Sequence, residues 1–276
     1  MKFTKMHGAG NDYVYVDCFK ENIDNRPEIA KRISDRHFGV GGDGMICICP
    51  SEVADVKMDM YNLDGSQGKM CGNGIRCVAK YAYEHGYAKG EKMTVETLSG
   101  VKTVWLDVRD GVVRSVRVCM GTPEFRPENI PVLSGGEDFI LRPMTVAGKQ
   151  WLVTCLSVGN PHAVVFVDNV DSLELDAIGP LFENDPMFPD KINTEFAQIV
   201  DEGTIKMRVW ERGSGETLAC GTGATATLCA ACVCGKTGNR AKLCLLGGEL
   251  TIEWDREKNL LYMTGPAEYV FEGELL

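Results

Sequence analysis

Long apolar runs are missing from these 276 residues, and positive charge is in deficit. No stretch approaches the ~18 consecutive apolar residues that a membrane-spanning helix needs. Only 29 lysines and arginines stand against 39 aspartates and glutamates, a net charge of −10. An acidic protein repels phosphate backbones, so neither nucleic acid nor membrane is expected as a partner. The segment Met1-Lys2-Phe3-Thr4-Lys5 lacks the apolar core of a secretion signal, and a cytoplasmic location is expected.

Cysteine, by contrast, is plentiful, with twelve residues. A chain of this length buries about three quarters of its unfolded surface and needs no covalent staples, so disulfides are not expected. The densest group, Cys229, Cys232 and Cys234, lies in an Ala-rich stretch that reads as helix. On a helix the third points away from the first two, and no Cys-x-x-Cys partner follows at ligand spacing, so no metal is expected. These three, with Cys47 and Cys49 in the strand-like 45–49 segment, read as small buried side chains.

Two cysteines differ from the rest. Cys71-Gly72-Asn73-Gly74 and Cys220-Gly221-Thr222-Gly223 share a Cys-Gly-x-Gly signature and lie 149 positions apart (220 − 71 = 149). The same offset relates Gly10-Asn11 to Gly159-Asn160, and Lys57-Met58 to Lys206-Met207. A constant offset over separated segments indicates an internal duplication. Each half reads as strands plus one prominent helix leaving a cysteine loop, over 75–85 and 224–233. Shorter helical stretches are expected at 28–36 and 171–183. The fold class is α+β, with the long helix packed on its own curved sheet. Gly39-x-Gly41-x-x-Gly44 matches a dinucleotide pattern, but it follows a helix and precedes a strand, the reverse of what that pattern needs.

A cysteine at the start of a helix is a chemical device. The first N–H groups have no partners within the helix, and the dipole adds partial positive charge. Such a site lowers thiol pKa values, creating a base near neutrality, and also cradles a carboxylate. Inverting an α-carbon requires one group to remove hydrogen from one face and another to supply it from the other. Two thiols at equivalent points of duplicated halves, facing each other across the seam, suit that task.

The motifs resemble those of the diaminopimelate epimerase family. The likeness runs from Met6-His7-Gly8-x-Gly10-Asn11-Asp12 through Asn62-x-Asp64-Gly65-Ser66 and Cys71-Gly72-Asn73-Gly74-x-Arg76-Cys77. It continues with Gly159-Asn160-Pro161-His162, Asn193, Glu211-Arg212-Gly213-x-Gly215-Glu216-Thr217 and Ala219-Cys220-Gly221-Thr222-Gly223. The resemblance implies cofactor-independent interconversion of the LL and meso forms of 2,6-diaminopimelate, serving lysine and cell-wall precursor synthesis. It implies Cys71 and Cys220 as the two bases, and Gly72, Asn73, Gly74, Gly221 and Thr222 around the reacting carboxylate. Asn11, Asn62, Asn160, Asn193, Glu211 and Arg212 would bind the remainder of the substrate, with Arg212 on the distal carboxylate and His162 supporting. It further implies a homodimer and two pseudo-symmetric domains, each a curved, mostly antiparallel sheet wrapped around a central helix. Their expected bounds are 1–118, joined by 264–276, and 119–263. Some members carry glutamine where this chain has Gly44. Two other readings stay open on the residues alone: an isomerase of the same fold acting on another amino acid, and a binding protein that has lost the chemistry.

Overall fold

Alternating apolar residues build nearly every strand, and the two long helices are apolar enough to sit inside the sheets they pack on. The computed structural model describes all 276 residues, Met1–Leu276. The chain divides into one unit of Met1–Cys119 with Thr264–Leu276, and a second of Met120–Met263. The first runs β1 (Lys2–Gly8), β2 (Asn11–Asp17), α1 (Arg26–Ser34), β3 (Gly44–Cys49), β4 (Val56–Asn62), β5 (Gln67–Gly68), α2 (Gly72–Glu84), β6 (Lys92–Thr97), β7 (Gly100–Arg109) and β8 (Val112–Gly121). The second runs β9 (Arg142–Val146), β10 (Lys149–Ser157), β11 (Pro161–Phe166), α3 (Leu175–Glu183), β12 (Asn193–Asp201), β13 (Thr204–Glu211), β14 (Gly215–Thr217), α4 (Gly221–Val233), β15 (Arg240–Leu245), β16 (Gly248–Asp255) and β17 (Leu260–Gly265). The last strand, β18 (Glu268–Glu274), pairs antiparallel with β1.

The duplication is visible in the pairing. An antiparallel hairpin, β1–β2, leads through α1 to a parallel pairing of β2 with β3 (Val14 opposite Met45), then to an antiparallel β3–β4. In the second unit β10–β11 are antiparallel, β11 pairs parallel with β12 (Val164 opposite Glu195), and β12–β13 are antiparallel. After each central helix a strand joins in parallel, β6 on β4 and β15 on β13, and turns back into a hairpin.

α2 packs on β1, β2, β3, β4, β6 and β7, and α4 on β10, β11, β12, β15 and β16, so each sheet wraps its helix. α4 carries no charged residue, and Ala224 through Ala231 are all buried. A helix apolar all round is one enclosed on all sides. Its two buried hydroxyls are satisfied within the helix, Thr225 by Gly221 O and Thr227 by Gly223 O, both at 2.8 Å. Met58, Met60 and Met207 are core, as their alternation suggests. The second unit adds Phe182 and Phe196 edge to face at 5.4 Å, with Trp151 against both.

Candidate active site

Each central helix begins at a cysteine, and sulfur does the capping. Cys71 has extended backbone (φ −125°, ψ 120°), and its Sγ accepts the Gly74 N–H at 3.3 Å. Cys220 repeats this with φ −112° and ψ 109°, accepting the Gly223 N–H at 3.3 Å. An N-cap side chain usually offers oxygen to such an N–H. Here the thiol takes that place, and Gly72-Asn73 and Gly221-Thr222 form the first turns, where the helix dipole is most positive.

In the first unit the surroundings of the thiol are an amide held by carboxylates. Cys71 Sγ donates to Asn11 Oδ1 at 3.2 Å, and Asn11 Nδ2 donates to Asp43 Oδ2 at 2.6 Å. Asp43 therefore turns the amide oxygen towards the sulfur. Arg36 bonds Asp43 Oδ1 at 3.0 Å and Asp12 Oδ1 at 2.9 Å, and Lys5 reaches Asp12 Oδ2 at 2.5 Å. Burial raises the Asp12 carboxyl, but its bonds to Arg36 and Lys5 outweigh that and hold it below the usual range. Asp43 moves the other way, raised by burial and by neighbouring Asp12. Asn73 Oδ1 accepts from Arg76 Nη1 at 2.9 Å. Arg76 is fully buried and also bonds Gly72 O at 3.1 Å and Pro266 O at 2.9 Å, so it ties the first turn of α2 together. Asn62, at the end of β4, donates to Ser66 Oγ at 3.0 Å and lies opposite Gly44. Gly44 has φ 156°, and a Cβ there would sit 2.1 Å from Tyr61 O. On this backbone a side chain at position 44 would meet the Tyr61 carbonyl.

The second unit presents carboxylates directly. Cys220 is buried, with Sγ 3.4 Å from Thr222 Oγ1. His162 is fully buried; its Nδ1 meets Glu195 Oε1 at 2.7 Å and its Nε2 meets Asn160 Oδ1 at 2.9 Å. Thr217 Oγ1 donates to Glu211 Oε1 at 2.5 Å. Burial pushes the Glu211 carboxyl up, against the bonds from Thr217 and Cys220 that favour its charged form. Asn193 Nδ2 donates to Pro161 O at 2.7 Å, while its Oδ1 takes the Arg212 backbone N–H at 3.0 Å. The Arg212 side chain is exposed, with Nη1 on Asp190 O at 2.7 Å.

One expectation is corrected here. A helix start lowers thiol pKa values and offers a base, yet Cys220 is pushed well above the ordinary thiol value. Burial is the largest cause, followed by the charges of Glu211 and Glu195; the Thr222 hydroxyl and Gly223 N–H pull the other way and lose. Burial and the two carboxylates thus favour the neutral form of Cys220.

The structure thus brings Asn11, Asn73 and Gly74 to Cys71, and Glu211, Thr222, Asn160 and His162 to the surroundings of Cys220. Asn193 lies beside Arg212. Three residues that sequence reasoning passed over also contribute: Asp43, Arg76 and Glu195.

The diaminopimelate epimerase family model matches residues 3–126 and 154–270. The chain belongs to the diaminopimelate epimerase family. A diaminopimelate epimerase of Acetivibrio thermocellus is 55% identical over 275 residues, covering 100% of this chain and 98% of the relative. One from Methanococcus maripaludis is 52% identical over 275 residues, covering 100% and 99%. Among solved structures, a phenazine biosynthesis protein of the PhzF family from Bacillus anthracis superposes with a TM-score of 0.72 at 18% identity, covering 100% of this chain and 99% of its own. A hydroxyproline epimerase from Agrobacterium vitis gives 0.69 at 15%, covering 100% and 90%. These two share the α+β duplicated fold; the identity to the family lies in the sequence relatives.

Proposed function

We propose that the protein converts LL-2,6-diaminopimelate to the meso form without a cofactor, using Cys71 and Cys220 as its two acid–base groups. The observation that carries this reading is the duplicated cap: two thiols, each seated on the first turn of a buried helix, in a chain half identical to named diaminopimelate epimerases. Cys220 is held neutral, so it supplies the proton in the LL direction. Cys71, seated on the first turn of α2, is then the group that removes the α-hydrogen. The reverse direction uses the same pair with the proton exchanged.

Removing an α-hydrogen puts charge onto the neighbouring carboxylate. The amides of Gly72, Asn73, Gly221 and Thr222 lie where the helix dipoles favour that charge. In comparable sites each such donor contributes ~2.7–4 kcal/mol. Asn11, Asn62, Asn160 and Asn193 supply amides for the ammonium and carboxylate groups. Arg212 provides a forked guanidinium for the distal carboxylate. Glu211 and His162 position protons near Cys220. The same reading includes a homodimer in the cytoplasm, supported by the exposure of Tyr269, Val270 and Phe271 on β18.

Chiral analysis of the purified protein with LL-diaminopimelate, without pyridoxal phosphate, tests this. Meso product is expected. Turnover of proline or hydroxyproline in its place would assign a different substrate, and no turnover of any amino acid would remove the activity. Cys71→Ala and Cys220→Ala are each expected to lower kcat by about 10²–10⁴-fold with an unchanged circular dichroism spectrum. A variant with normal turnover takes its cysteine out of the mechanism.

A further inference from the structure

Glu195 sits in β12 with its whole side chain buried, bonded through Oε1 to the equally buried His162. Its other oxygen, Oε2, is buried and has no hydrogen-bond partner. A half-satisfied carboxylate in a core is destabilising, and nothing in the strand requires it. Subtracting the repeat offset (195 − 149 = 46) gives Ile46, which fills the same place in the first unit and is also fully buried. Hydrocarbon therefore suffices for the fold.

The two residues do the same spatial job beneath the two helix starts. A Cβ built on Gly74 would meet Ile46 Cδ1 at 2.6 Å and Met58 Cε at 3.0 Å, with Cys71 Cβ at 3.4 Å. A Cβ built on Gly223 would meet Glu195 Oε1 at 2.5 Å and Cys220 Sγ at 3.2 Å. The third helical residue of each cap is glycine, so the group below approaches the cap directly. Under Cys71 that group is a methyl; under Cys220 it is a carboxylate.

The geometry points to Glu195 as a positioning residue that keeps Cys220 in its neutral, proton-donating form and fixes the His162 ring beside Asn160, so that the duplicated thiols are chemically unequal. This rests on the assignment of Cys220 as one of the two acid–base groups. The groups acting on Cys220 are Glu211 from β13, Glu195 from β12, and the Thr222 hydroxyl and Gly223 N–H from α4 itself, with His162 from β11 bonded to Glu195. Glu195 is also felt by Cys155 of β10, whose thiol burial first, then this carboxylate, push upward. Like charge near an ionising thiol disfavours the thiolate. Of the two carboxylates beside Cys220, Glu195 is the one replaced by hydrocarbon in the other half.

The test is alkylation by iodoacetamide across pH, read for Cys71 and Cys220 separately by peptide mass spectrometry. In the wild type Cys220 should reach half-maximal labelling at a higher pH than Cys71. In Glu195→Gln that midpoint should fall by about one pH unit, so that Cys220 labels about tenfold faster at pH 8, while Cys71 is unmoved. Glu195→Asp, which keeps the charge, should stay near wild type. In the epimerase assay the alkaline limb of kcat/KM should shift down with Glu195→Gln, with the acid limb in place. A Cys220 profile that superimposes on wild type in Glu195→Gln, or a shift shared equally by Cys71, overturns the assignment. Should Glu195→Gln not fold, the wild-type comparison decides, and Cys220 labelling at a lower pH than Cys71 overturns it. Loss of the Glu195 effect on labelling in an active enzyme defeats this inference alone. The effect persisting in a protein that turns over no amino acid defeats the proposed reaction and leaves the control of Cys220 standing.

Discussion

At the residue scale the caps show how one motif yields two environments. Cys71 and Cys220 have the same backbone conformation and the same sulfur-to-amide bond, and Asn11 is matched by Asn160, yet three other symmetric positions differ. Asn62 corresponds to Glu211, Ile46 to Glu195 and Tyr13 to His162. The pH dependence follows from the Cys220 environment. Proton donation requires the neutral thiol, which is fully present below its raised folded value and lost as pH rises through it. In a pH–rate profile, activity in the LL direction should thus persist through the range where an ordinary thiol ionises, and decline only beyond it. Folding stability declines at lower pH than activity does, from ~8.5 up to the raised folded value, because over that interval the unfolded thiol ionises while the folded one does not. The glycines beneath the caps are also unequal. Gly223→Ala presses on a carboxylate pinned by His162, whereas Gly74→Ala presses on the ends of Ile46 and Met58, which can turn. The former should lose more kcat/KM and more melting temperature; overpacking of this kind costs about 1–3 kcal/mol. Equal losses would mean the carboxylate yields as easily as a methyl.

At the element scale, boundaries follow from capping and from burial that a local pattern does not carry. Apolar periodicity places the second central helix at 224–233, but it begins at Gly221, because Cys220 caps it through Gly223 and Gly221 through Gly223 are already helical. The stretch 171–183 divides into a 3-10 turn, Val170–Ser172, and α3, since Leu173 is extended (ψ 134°) between them. Periodicity made the helices and strands legible, and the Cys-Gly-x-Gly pair made the caps legible. Glu195, Asp43 and Arg76 stayed hidden because a charged residue in a sequence is ordinarily read as solvated. Their burial is set by strands distant in the chain. The neutral state of Cys220 was illegible for the same reason: the helix start is local, while Glu211 and Glu195 arrive from β13 and β12. Because α4 is enclosed by its sheet, Leu228, fully buried at its centre, has no route to relax. Leu228→Ala should lower the unfolding free energy by about 2–5 kcal/mol in urea titration, and a loss under 1 kcal/mol would contradict the packing described.

At the scale of the whole molecule, duplication followed by divergence is how, in the proposed mechanism, one chain would come to hold both an acceptor and a donor of protons. Each unit keeps the cysteine cap at the start of its central helix, while the strands around it differ: Glu195 and Glu211 stand where the first unit has Ile46 and Asn62. The account stands or falls on whether one sulfur removes the hydrogen and the other delivers its replacement. Early in turnover of LL-diaminopimelate in deuterium oxide, mass spectrometry of the separated isomers should find one deuterium at the inverted carbon of the meso product and almost none in recovered LL substrate. Deuterium entering the recovered substrate as fast as the product would mean that a single group handles both faces, and the two-thiol account would be wrong.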